Sequence, residues 1–164
     1  MEAVTIEFFK LREDAILPEY SHKGDSGFKL SIPDDVRIEL GETRVIPLGW
    51  ACRIPDGWEM QIRSRSGMTS KVGLVVAQGT GTIDSSYRGE VGAIVYNRGV
   101  DDMPDDYRYN GMVGYDGSLM LPRGTNVAQG VICEVPDVIF KEVYEWDENE
   151  TTRGSGGYGS TDEE

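Results

Sequence analysis

Apolar and β-branched residues in this chain come in short runs, and no long run keeps a helical period. The runs lie at residues 4–9, 28–32, 36–40, 44–48, 50–54, 58–62, 91–96, 119–121 and 127–135, with glycine, proline, aspartate and serine between them. Short β-prone segments bounded by turn residues predict strands; helices need apolar spacing near 3.6 over ten or more residues. Pro55-Asp56-Gly57 shows how the breaks work. Proline presets φ for a turn, and glycine accepts the positive φ that follows. Only residues 66–72 read as a helix, and a short one. The pattern predicts an all-β, jelly-roll-like sandwich or barrel, and 164 residues suffice for one domain with a real core.

Two segments depart from that pattern. Residues 100–116 are rich in Gly, Asp and Tyr without periodicity. They read as an inserted loop of about 15 residues, either disordered or serving a protein partner. Residues 148–164 are glycine-rich with few apolar groups. Such a segment cannot fold alone and is expected to be a flexible arm that a ligand orders. The folded domain is therefore expected over residues 1–147.

The net charge of −13 excludes broad nucleic-acid binding, which needs a basic face. It does not exclude a single nucleotide, because a few arginines and backbone N–H groups can hold phosphates on an acidic protein. No apolar run approaches the ~20 residues of a membrane span, and Met1-Glu2-Ala3 does not begin a signal sequence. The expectation is a cytoplasmic protein without a membrane partner. Cys52 and Cys133 lie in apolar stretches and are expected to be buried free thiols. His22, the one histidine, sits in a polar stretch and reads as a surface residue, with no zinc-like spacing around it.

Two segments carry candidate chemistry. Residues 81–90 place Asp84, Tyr87 and Arg88 close together between the apolar runs 74–77 and 91–95, an arrangement that reads as a β-hairpin. An acid presented by rigid strands suits holding a small reactant, although aspartate is also an ordinary turn residue. Arg65, Ser66 and Gly67 offer a charge, a hydroxyl and an unhindered N–H at the start of the expected helix, a phosphate-binding combination. Arg63, two residues earlier, is expected by strand alternation to point the same way as Arg65.

Five segments, taken in order, resemble the five motifs of the homotrimeric dUTP pyrophosphatases (dUTPases). They are Lys23-Gly24-Asp25-Ser26-Gly27-Phe28-Lys29-Leu30, then Arg63-Ser64-Arg65-Ser66-Gly67-Met68, then residues 81–90. Gly124-Thr125-Asn126-Val127-Ala128-Gln129-Gly130-Val131 and Arg153-Gly154-Ser155-Gly156-Gly157-Tyr158-Gly159-Ser160-Thr161 complete the set. The resemblance spans residues 17–161. It implies the jelly-roll-like β-clip fold and hydrolysis of dUTP to dUMP and pyrophosphate, which limits uracil in DNA and supplies dUMP for dTMP synthesis. It also implies Mg²⁺ as cofactor and a homotrimer whose three shared sites are each completed by a neighbour's arm.

By the same resemblance Asp84 orients the attacking water and accepts its proton. Tyr87 packs under the deoxyribose and excludes a 2′-hydroxyl. The main chain near Gly81 and Ile83, with Gln78, reads uracil. Arg65, Ser66 and Gly67 hold the α and β phosphates, and Gln129 meets a phosphate or a metal-bound water. Arg153, Ser160 and Thr161 clamp the γ phosphate beside Gly159, and Tyr158 stacks over the base. No side chain is expected to bind the metal directly.

Several positions depart from the motifs. Lys29 replaces the usual aspartate associated with the magnesium site, and Thr125, Asn126 and Gly130 alter the fourth motif. Gln78 stands where many members carry Asn, and Tyr158 where they carry Phe. The related deoxycytidine triphosphate deaminases need a glutamate where Ile94 stands and an arginine where Ser70 stands, which argues against deamination. A nucleotide-binding regulator on the same scaffold, with weak or no catalysis, is the alternative of another class.

Overall fold

The computed structural model describes residues 3–100, 107–145 and 151. Strands β1 (Glu7–Lys10), β2 (Phe28–Ser31), β3 (Val36–Ile38), β4 (Thr43–Pro47), β5 (Trp50–Arg53) and β6 (Trp58–Arg63) precede the helix α1 (Ser66–Lys71). After it come β7 (Leu74–Val76), β8 (Thr80–Ile83), β9 (Gly92–Asn97), β10 (Arg108–Tyr109), β11 (Met112–Tyr115), β12 (Ser118–Leu121) and β13 (Asn126–Glu134). Every pairing between these strands is antiparallel. The all-β expectation holds, and the short helix falls where the sequence predicts it.

The strands form sheets ordered β2-β13-β6-β8, β4-β9-β7 and β10-β11-β12-β3, with β1 and β5 paired as a ribbon. Leu30, Ile32, Leu48, Trp50, Leu74 and Leu119 are among the fully buried side chains of the single core between them. Phe8 meets Trp50 edge-on with ring centres 5.1 Å apart, fastening the ribbon to that core. Strand β9 shows the alternation that builds the core: Ala93, Val95 and Asn97 point in, while Gly92, Ile94 and Tyr96 are half-buried on the other face. In β13 the alternation slips. Val127 and Ala128 are both buried because the register against β2 shifts there, as a β-bulge does.

Asn97 is buried and fully used. Its Nδ2 donates to the carbonyls of Ile38 (3.2 Å) and Gly117 (2.9 Å), and its Oδ1 accepts from the Gly99 N–H (3.1 Å). One amide thus joins β9 to β3 and to the turn before β12.

Three expectations need correction. The segment 100–116 is not wholly a loop: residues 107–121 carry β10, β11 and β12 in one sheet, while 101–106 lie outside the described residues. The turns responsible are Asn110-Gly111 and Asp116-Gly117, each a two-residue link with positive φ at both positions (48° and 82°, 50° and 76°). That is the turn whose twist matches paired strands, and it selects Asn-Gly and Asp-Gly. Second, the run 74–77 does pair with β9, but the residues between are no simple turn. Strand β8 leaves that pair and joins β6 in the other sheet. Third, β6 ends at Arg63, so alternation does not carry through to Arg65. Arg63 donates instead to Gln61 Oε1 (2.9 and 2.5 Å) and to Cys133 Sγ.

Cys52 is a buried free thiol as expected, whereas Cys133 is free and only half-buried. His22 is exposed. Among the described residues no helix is long and apolar enough to cross a membrane.

Candidate active site

Strand β8 lies at the edge of its sheet, paired on one side only. Among the described residues no strand pairs with its outer side, so main-chain groups there are open to a base edge, although the Thr80 N–H already donates to the Gln78 carbonyl at 2.9 Å. Along it runs an apolar cleft of about 340 Å³, lined by Gln78, Gly81, Thr82, Ile83 and Tyr87 on one side and by Val45, Pro47, Gly92 and Ile94 from β4 and β9 on the other. Gly81 keeps that wall flat: a methyl group there would lie 3.1 Å from Gln78 Nε2 and 3.4 Å from Ile62 Cβ.

Asp84 follows Ile83 directly and begins a turn. Its carbonyl accepts from the Tyr87 N–H at 3.1 Å. Its carboxylate is exposed and has no hydrogen-bond or ionic partner among the described residues. A capping aspartate would spend its side chain on the local N–H groups; this one does not. Tyr87 is oriented by its hydroxyl, which donates to the Glu90 carbonyl at 2.9 Å, while Glu90 Oε1 accepts from the Gly49 N–H at 2.9 Å. Arg88 donates to the Ser85 and Tyr87 carbonyls (2.5 and 2.8 Å) and so braces the turn.

A second, polar cleft of about 550 Å³ lies beside α1. Arg65, Ser66 and Gly67 line it, with Asn126 and Gln129 from β13 and Tyr109 and Asn110 from the β10–β11 hairpin. A neighbouring cleft shares Arg65 and Gln129 and adds Asp25, Ser26, Gly27 and Lys29. Arg65 Nη1 donates to the Asn126 carbonyl at 3.2 Å, leaving other guanidinium donors for a ligand. Gln129 Nε2 donates to the Ser64 carbonyl at 2.8 Å. Lys29 stands directly across from Gln129 in the sheet, and its Nζ donates to Glu19 Oε1 at 3.0 Å.

Two of the fourth-motif departures have structural reasons. Gly130 is small because the Phe28 ring occupies the space its side chain would need. Asn126 Oδ1 accepts from the Ser31 hydroxyl at 2.5 Å, tying β13 to β2.

The predicted residues therefore fall into two groups within one chain. Arg65, Ser66, Gly67 and Gln129 come together, as do Gln78, Gly81, Ile83 and Tyr87 beside Asp84. The two sets of clefts share no lining residue. Arg153, Tyr158, Gly159, Ser160 and Thr161 lie outside the described residues. Sequence reasoning missed Tyr109 and Asn110, although the Asn-Gly pair after Tyr109 was a readable hairpin signal.

Among the described residues no three His, Cys, Asp or Glu side chains are grouped to hold a metal. The donor set fits a hydrated ion that arrives on phosphate oxygens, since Gln129 Oε1 lies against Gly27 in the cleft and can meet a bound water.

The dUTPase family profile matches residues 13–104. A deoxyuridine 5′-triphosphate nucleotidohydrolase of Gloeothece citriformis is 42% identical over 152 residues, covering 93% of this chain and 92% of that one. One from Chlamydia trachomatis serovar L2 is 37% identical over 158 residues, covering 95% and 97%. Among solved structures, a Staphylococcus bacteriophage 80alpha dUTPase mutant with dUpNHpp superposes with a TM-score of 0.81 at 30% identity, covering 96% of this chain and 98% of that one. A mutant dUTPase from phage phi11 of S. aureus, described for its coordination of a structural Mg(II) ion, gives a TM-score of 0.73 at 30% identity over 87% of this chain and 98% of its own. Five motifs in order, an edge strand beside an unpaired aspartate and relatives matched over nearly their full length lead to one conclusion: the chain belongs to the dUTPase family.

Proposed function

We propose that this protein hydrolyses dUTP to dUMP and pyrophosphate, in sites that neighbouring chains of a homotrimer assemble. The observation that carries the reading is the Asp84 carboxylate at the end of β8, without a partner among the described residues, beside an apolar cleft on an edge strand. Uracil pairs with the outer backbone groups of β8 near Gly81 and Ile83, with Gln78 at the margin. The ring of Tyr87 lies under the deoxyribose and leaves no room for a 2′-hydroxyl.

Asp84 aligns a water for in-line attack on the α-phosphate and accepts its proton. The new P–O bond forms as the bond to the β-phosphate oxygen breaks, and pyrophosphate leaves. Arg65, Ser66, Gly67 and Gln129 hold the phosphates in the polar cleft. When bound, Mg²⁺ would neutralise phosphate charge, and Gln129 would be the residue placed to hold it, through a water. Lys29, satisfied by Glu19, takes no part in holding it.

The separation of the two groups supports the shared site. One chain offers base and sugar recognition with the catalytic acid, and another offers the phosphate cleft. The stretch 135–145 also supports assembly: Ile139, Phe140 and Tyr144 are each about nine-tenths exposed, which is unusual for a free monomer. Residues 153–161 act as the arm that completes each site: Arg153, Ser160 and Thr161 on the γ phosphate, Gly159 allowing close approach, and Tyr158 over the base.

Pyrophosphate release from dUTP, dCTP, dTTP and UTP, each with and without Mg²⁺, tests the reading. Fast release is expected from dUTP alone, accelerated by the metal. Comparable release from dCTP or UTP would contradict the pocket assignments.

A further inference from the structure

The β10–β11 hairpin forms one wall of the polar cleft, although it comes from the segment that reads as an insertion. Its rigidity has clear causes. Tyr109 pairs with Met112, whose side chain is buried in the core, and the ring of Tyr109 packs against the same core. The Asn110-Gly111 turn then closes the hairpin immediately after Tyr109. The phenol is thus held in place by covalent geometry, sheet pairing and packing together.

Its hydroxyl points at the floor of the cleft. A methyl group at position 67 would lie 2.5 Å from that oxygen, so only glycine at 67 permits the approach. The same cleft holds Arg65, Asn126 and Gln129. Among the described residues the hydroxyl has no hydrogen-bond partner. A half-buried polar group normally finds one, and this one is aimed into a cleft whose charged neighbour is a guanidinium. The ligand that satisfies both is an anion with several acceptor oxygens, and a phenol O–H to a charged oxygen is a strong, short bond.

We propose that Tyr109 is a phosphate-binding residue, donating its hydroxyl to the triphosphate in the cleft that Arg65 commands. The inserted hairpin is then a working wall of the active site. This rests on the reading of that cleft as the phosphate site. It also gives Gly67 a second reason to be glycine: it admits the phenol as well as the nucleotide.

The test compares the full-length wild type with Tyr109→Phe, which keeps the ring and its packing and removes one oxygen. Affinity is measured for the non-hydrolysable analogue dUpNHpp and for deoxyuridine, which carries no phosphate. Tyr109→Phe is expected to weaken the analogue roughly tenfold, with deoxyuridine unmoved. Unchanged affinity for the analogue would overturn the proposal, and so would an equal loss for both ligands, which a purely structural hydroxyl would give. A wild type that bound the analogue no better than deoxyuridine would overturn the phosphate reading of the cleft, and the role of Tyr109 with it.

Discussion

Asp84 makes its turn through the main chain and, among the described residues, leaves its carboxylate without a partner, which separates it from the many aspartates that merely cap turns. Asp84→Asn keeps shape and hydrogen bonding but cannot take a proton. The variant should bind dUpNHpp normally and lose about 10²–10⁴-fold in kcat; near-normal turnover would remove the water-orienting role. Tyr87→Ala should raise the rate on UTP relative to dUTP, read from kcat/KM for both, and an unaltered ratio would end the ribose assignment. Cys52 supplies a check on the core. Burial pushes its thiol up to about 11, only partly opposed by Arg88. Because burial disfavours the thiolate, Cys52 should resist iodoacetamide at pH 8 in the folded protein and react on unfolding. Prompt alkylation in the native state would contradict its placement.

At the scale of elements, single polar groups hold sheets and loops in register. Asn97→Ala strands two carbonyls and one N–H in the interior and should lower unfolding free energy by about 2–4 kcal/mol in urea titrations. At the surface, Arg12 donates to both Asp14 and Asp34, and Arg123 donates to Asp14 and to the Pro33 carbonyl. The hydrogen bond from Arg12 holds the Asp14 carboxyl below the usual carboxylate range. A lowered folded value contributes stability above the unfolded value, near pH 4, that is lost as pH falls through the folded one. The melting-temperature gap between wild type and Asp14→Asn should therefore be present at pH 7 and shrink below about pH 4. A gap independent of pH would refute the pairing.

These elements also show where a sequence is legible. The strands over 28–31, 50–53, 58–63 and 92–97 announced themselves, because β-branched runs between turn residues have few other ways to fold. The helix after Arg65 and the company of Arg65, Ser66, Gly67 and Gln129 in one cleft were readable from motif order. The β10–β11 hairpin was not, because its strands are short and carry Arg, Tyr and Gly where Val or Ile would signal a strand. Asn110-Gly111 and Asp116-Gly117 held the information in two dipeptides. The course of β8 into the other sheet was also hidden, since strand partners depend on long-range packing that no local pattern encodes.

For the molecule as a whole, the clefts of one chain are complementary halves. On the proposed reading one takes base and sugar beside Asp84 and the other takes the phosphates, and an exposed apolar stretch over 138–144 lies near the end of the described chain. Removing residues 153–164 should leave the melting temperature nearly unchanged and abolish most turnover; an unaffected rate would exclude the arm from the site. The proposed division of labour between chains has a sharper consequence. Arg65→Ala damages the phosphate half and Asp84→Asn the catalytic half, so each variant alone should be almost inactive. Co-refolding the two in equal amounts builds sites in which one chain supplies an intact Arg65 and its neighbour an intact Asp84. In a randomly mixed trimer about one quarter of sites meet that condition. The measurement to make is dUTP hydrolysis by that mixture. Recovery to about a quarter of the wild-type rate is the predicted result; a mixture as inactive as its components would contradict a site shared between chains.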